Sequence, residues 1–162
     1  MSTFTVGKKI VFGAVILAWP ALAHANIGDT LQQLRERYGS AQNMGGQMIF
    51  EVRLNDGQIV PARGSANPES HYTITVYFDG DHSAMEVFTR NTSDPAKANL
   101  SQSDIDAILA ATSDGNTWNP VTVPSGRTTW LRSDGKYIAR FSPNKSGNAD
   151  DASVLVIMLN SK

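Results

Sequence analysis

Cysteine is absent from the 162-residue chain. That absence excludes disulfides, thiol catalysis, cysteine-ligated zinc and a lipid-modified cysteine, and leaves the hydrophobic core to hold the fold. Clusters of Lys or Arg are missing too: 14 basic residues face 15 acidic ones. Phosphate backbones need a concentrated positive patch, so nucleic acid is not an expected partner. Catalytic and phosphate-binding motifs are lacking as well. No serine sits in a Gly-x-Ser-x-Gly elbow, and Gly45-Gly46 stands alone without the Lys-Ser/Thr of a phosphate loop. Histidine is scarce, with three in the whole chain.

What is present begins with a secretory pattern. Lys8 and Lys9 precede an apolar run at 10–19, Pro20 breaks it, and Ala23-His24-Ala25 offers a small-x-small cleavage site. The run is about half of the roughly 20 residues that a membrane span requires. Residues 1–25 are expected to be a signal peptide, removed on export to the periplasm or the extracellular space without stable membrane insertion. The remaining 26–162 have 12 basic and 15 acidic residues, a formal charge of −3. A chain of that size buries about two thirds of its unfolded surface, enough for one domain with a real core.

Local patterns predict an α+β fold. Asp29, with Gln32 three residues on, reads as the cap of a first helix whose apolar face is Ile27, Leu31, Leu34 and Tyr38 and whose stop is Gly39. Ser101 and Asp104 form a capping box for a second helix, with Leu100 and Ile105 spaced as a hydrophobic staple. Strands are predicted around 47–53, on both sides of Gly80, at 128–132, 136–141 and 152–159, giving the order α-β-β-β-α-β-β-β on an antiparallel sheet. The last strand is apolar almost throughout, which predicts burial on both faces. Residues 26–90 and 100–162 share a helix-then-strands pattern, which fits a duplicated αβββ unit as well as it fits chance matching of short strands.

The segment ITVYFDGDHSAMEVF at 74–88 predicts a hairpin on an Asp79-Gly80 turn. That turn opposes Phe78 to Asp81 and Ile74 to Met85. It gathers Tyr72, Ile74, Val76, Met85 and Val87 on the core face. Tyr77 beside His82, Thr73 beside Glu86, and His71 beside Phe88 fall on the other face. A slip of one residue would send Glu86 into the core, which desolvation of a carboxylate disfavours.

His71 and His82 then lie roughly 20 Å apart at about 3.3 Å per residue, too far to share one metal ion. Asp79-Gly80-Asp81 has turn chemistry without the further oxygen ligands of a calcium loop. Neither metal nor cofactor is expected. What remains is a mixed aromatic and charged surface. Tyr77, His82, Glu86, Phe88, Trp118 and Arg140 are the expected partner-binding residues, since aromatic side chains and Arg anchor interfaces. Trp118 reads as an exposed loop residue and Trp130 as a packed strand residue. The alternatives are a small hydrolase using His71 or His82, and a structural subunit of an envelope assembly.

Gly28-Asp29-Thr30 opening a helix that ends at Tyr38-Gly39, followed by the strand Ile74-Thr75-Val76-Tyr77-Phe78-Asp79-Gly80, resembles the β-lactamase-inhibitor-protein-like fold group. That group includes the small outer-membrane-assembly lipoproteins. The resemblance implies short helices on an antiparallel sheet and a role in binding another envelope or extracellular protein, as inhibitor or adaptor, rather than in catalysis. The chain departs from the group in having one helix per half instead of two, and in lacking the lipid-bearing cysteine.

Overall fold

The computed structural model describes residues 27–62, 71–123, 127–144 and 152–161. The expected signal peptide at 1–25 lies outside them. In chain order the elements are α1 (Leu31–Tyr38), β1 (Ala41–Met44), β2 (Gln47–Asn55), β3 (Gln58–Pro61), β4 (His71–Asp79), β5 (His82–Asn91), α2 (Gln102–Ala111), β6 (Trp118–Val121), β7 (Thr128–Arg132), β8 (Tyr137–Ser142) and β9 (Val154–Leu159). All nine strands form one antiparallel sheet in the order β1-β2-β4-β5-β9-β8-β7-β6, with β3 also paired to β2. The fold is α+β. The second half is α2 followed by the meander β6-β7-β8-β9. In the first half β2 takes β1, β3 and β4 as partners and β5 follows on β4, and the final strands of the two halves, β5 and β9, pair at the centre.

Both helices start as capping physics directs, one of them a residue later than the sequence pattern suggests. Ser101 Oγ accepts from the Asp104 N–H at 3.2 Å while Asp104 Oδ2 accepts from the Ser101 N–H at 2.8 Å. For α1 the reciprocal pair is Thr30 and Gln33, not Asp29 and Gln32. Asp29 is held elsewhere. Its carbonyl accepts from the Ser83 N–H at 2.9 Å, and its carboxylate is paired with Arg37 in the last turn of α1. Thr30 itself bridges His82.

Gly39 closes α1 at φ 87°, ψ −146°, a backbone conformation that side chains with a Cβ resist. A Cβ there would also lie 3.2 Å from Pro61 Cβ. Gly39→Ala should therefore lower stability by about 2 kcal/mol, readable as a fall in the urea midpoint at unchanged slope.

The hairpin register differs from the sequence-based expectation in two steps. The loop is Gly80-Asp81, with Gly80 at φ 59°, so Asp79 pairs with His82 and Phe78 with Ser83. Glycine at the first central position suits the tight turn whose twist matches the flanking strands. This shift by itself keeps the same side chains inward. The reversal comes from an irregularity between Tyr77 and Phe78, opposite which Ala84 is the extra residue of a β-bulge. Beyond it Tyr77 pairs with Met85, Val76 with Glu86, and Ile74 with Phe88. One added residue flips every later side chain of the strand to the other face. Met85 and Val87 accordingly point away from the core, and Glu86 and Phe88 point into it.

The core lies between one sheet face and the two helices. Phe50, Ile74, Phe88 and Leu155, opposed on β2, β4, β5 and β9, are each at most 1% exposed. Leu34 and Tyr38 of α1 and Ile105, Ile108 and Leu109 of α2 join the same cluster. Burying each such side chain contributes roughly 1.5–3 kcal/mol.

Candidate functional site

Alternation along six strands makes a second sheet face, and among the described residues no helix packs on it. Polar links between helices and sheet run through inward side chains. The Tyr38 hydroxyl donates to Glu86, the Tyr72 hydroxyl to Asp104 at 2.7 Å, and Arg132 to the Thr112 carbonyl that follows α2.

The strand pairings set the outward residues in rows. Tyr77, Met85, Met158, Ile138 and Leu131 run across β4, β5, β9, β8 and β7. The next row holds Ile49, Thr75, Val87, Val156, Arg140 and Thr129. All but Arg140 and Thr129 are half-buried, as expected of side chains supported laterally by neighbours on a pleated surface; Arg140 is exposed and Thr129 buried. Beyond these rows the face turns polar, with Glu51 opposite Thr73 and Arg53 opposite His71. The result is an apolar band with Tyr77 toward one end, bordered by Arg140 and by the Glu51, Arg53 and His71 group.

Of the residues expected from sequence to bind a partner, Tyr77 and Arg140 share this face, roughly 15 Å apart across three strand spacings of about 4.8 Å. His82 is exposed at the hairpin tip beside Asp79, not beside Tyr77. Glu86 and Phe88 must be corrected: both are 1% exposed and inward, because the bulge reverses the parity of β5. Trp118 is corrected as well. It lies in β6 rather than a loop, is half-buried against the core, and its indole Nε1 is enclosed without a partner. Trp130 is packed in the core.

Residues that the sequence reading did not assign to this face are Met85, Val87, Val156, Met158, Ile49 and Leu131. The available signal was the VLVIML run of β9. Its unbroken apolar character predicts burial on both faces, yet only Leu155 and Ile157 of the strand are buried, and Val154, Val156 and Met158 lie on the uncovered side.

His71 and His82 stand at opposite ends of the β4–β5 hairpin, eight residues apart along β4 if His82 is taken at its partner Asp79, or about 26 Å at 3.3 Å per residue. Among the described residues no group of three His, Cys, Asp or Glu is placed to hold a metal ion.

The titratable groups that depart from ordinary values are on the inner side or at turns. Burial pushes the Glu86 carboxyl up to about 7, with Arg37 and the Tyr38 hydroxyl pulling the other way and Asp29 adding to the rise. Burial, then the neighbouring Glu86, raises Tyr38 well above the usual phenol range, against the opposing pull of Arg37. Burial and the hydrogen bond to Asp104 raise Tyr72 to about 12, so its hydroxyl stays a donor. At the β7–β8 turn, the hydrogen bond from Arg132 holds Asp134 below its usual range. None of these groups is on the uncovered face.

Comparison with protein-family models, curated proteins and solved structures found no match to this chain.

Proposed function

We propose that this chain is an exported protein-binding module, an inhibitor or adaptor that engages another protein of the envelope or extracellular space through its uncovered sheet face. The observation that carries the reading is the apolar row Tyr77, Met85, Met158, Ile138 and Leu131, widened by Val87 and Val156 beside it, on a face no described helix covers. An apolar centre holding a tyrosine, with arginine at its border, has the composition of a protein interface. The partner fitting it is a protein with an apolar or aromatic contact surface and an acidic group opposite Arg140 or Arg53. The hydrolase alternative has less support, because His71 and His82 stand at opposite ends of the β4–β5 hairpin and cannot serve one site together. The resemblance to the inhibitor-like group, drawn on short motifs, favours binding in the same way.

Two outward substitutions test the reading. Tyr77→Ala should weaken partner capture from envelope extract about 30-fold, the equivalent of an anchor worth about 2 kcal/mol. Val156→Lys should abolish capture, while the thermal midpoint of each variant stays within a few degrees of the parent. Capture undiminished by both substitutions would sink the assignment of this face. A single species of assembly size without any other protein would favour a structural subunit instead.

A further inference from the structure

The uncovered face leaves the opposite side of β5 to be explained. There Glu86 is enclosed, 1% exposed, in the row Val76-Glu86-Ile157. Its Oε2 accepts from the Tyr38 hydroxyl at 3.3 Å, and its Oε1 is buried without a protein partner. A cavity of about 10 Å³ adjoins it, walled also by Ile27, Thr112, Trp118, Arg132 and Tyr137. That is about the room one water molecule needs. Trp118, whose Nε1 is likewise enclosed without a protein partner, belongs to the same lining. An acid oxygen and an indole N–H across such a space are the polar partners that make a buried water stable.

The charges around Glu86 are already matched. Asp29, ahead of α1, is paired with Arg37 of α1. From β7, Arg132 binds Asp134 at 2.7 Å, donates to the Thr112 carbonyl and stacks 3.9 Å from the ring centroid of Tyr137 on β8. From β4 and β9 only Val76 and Ile157 oppose it. A carboxylate here would have to share Arg37 with Asp29, and that partial compensation is outweighed by the cost of placing the charge in an apolar interior.

We propose that Glu86 and its cavity form an internal proton and water site. The folded chain holds Glu86 as the neutral acid, with one water between its Oε1 and Trp118 Nε1. Losing that proton loosens α1 from β5. The site makes the protein tightest in mildly acidic surroundings and progressively looser through neutral pH.

The direction follows from linkage. Burial raises the folded-state value from 4.5 to about 7. The folded chain therefore binds more protons than the unfolded chain over that interval, and stability falls as pH rises through it, then levels off. Urea unfolding of the full chain between pH 5 and 8.5, on the parent and on Glu86→Gln, reads the effect. Between pH 5 and 8.5 the parent should lose up to about 70-fold in folding equilibrium constant relative to the variant. The carboxyl carbon of Glu86, followed by NMR in the parent, should titrate near neutrality, and the Trp118 indole N–H signal should move with it. This measurement also decides the matter if Glu86→Gln does not fold. Parallel stability curves for parent and variant, or a Glu86 carboxyl titrating in the ordinary acid range, would overturn the proposal.

Discussion

Phe88→Ala should remove about 3–5 kcal/mol of folding stability, while Val87→Ala, one residue earlier, should remove about 1 kcal/mol or less. Phe88 packs between Ile74 on β4 and Leu155 on β9 and is fully enclosed, whereas Val87 is half-buried on the uncovered face. The ordering matters more than either magnitude. A hairpin without the extra residue at Ala84 would put Val87 inward and Phe88 outward, and the two effects would exchange places. Thermal unfolding separates the cases: at about 3 °C per kcal/mol for a domain of this size, the Phe88 variant should melt some 10 °C lower.

Asp104→Ala should be nearly as damaging, at about 3 kcal/mol, because one carboxylate serves two elements. Its Oδ2 caps α2 through the Ser101 N–H, and its Oδ1 accepts from the buried Tyr72 hydroxyl of β4. Removing it loosens the helix start and leaves the Tyr72 hydroxyl enclosed without an acceptor. The ion pair with Arg90, 3.5 Å long and partly exposed, adds little. The double change with Tyr72→Phe should cost clearly less than the two single changes together, since the phenylalanine leaves no donor to strand. Strict additivity in urea unfolding would show that the hydrogen bond does not dock α2 to the sheet.

The elements legible in the sequence were those whose determinants are local. Ser101, Asp104, Leu100 and Ile105 lie within one turn and its flank, and α2 starts where they say. Tyr72, Ile74 and Val76 alternate cleanly, and all three are buried. The α1 cap was misread by one residue because Asp29 is drawn into pairing with Ser83, a partner distant in sequence. The parity of β5 was not legible, since nothing in His82-Ser83-Ala84 marks a bulge, and the charge of Glu86 argued for the register that keeps it wet. Burial pushes its carboxyl up to about 7, which eases the enclosure of that residue. β1, β3 and β6 are four residues each and carry no apolar alternation to read. The candidate face was half visible for the same reason. Tyr77 and Arg140 belong to strands with regular parity, while Met85 and Val87 follow the bulge and Val156 and Met158 were hidden in an unbroken apolar run.

The position of β9 bears on how such a chain assembles. β5 is complete long before β9 in chain order, and β8 is the strand just ahead of it, yet both depend on β9 for their central hydrogen bonds. Until it inserts, each is an unprotected sheet edge carrying Met85, Val87 or Ile138, the kind of margin that recruits foreign strands. Closure by so late a segment is a nonlocal and therefore slow event. A nascent or truncated molecule lacking Val154–Leu159 is consequently a candidate for chaperone capture or aggregation, and the finished protein is protected by six residues wedged into its middle.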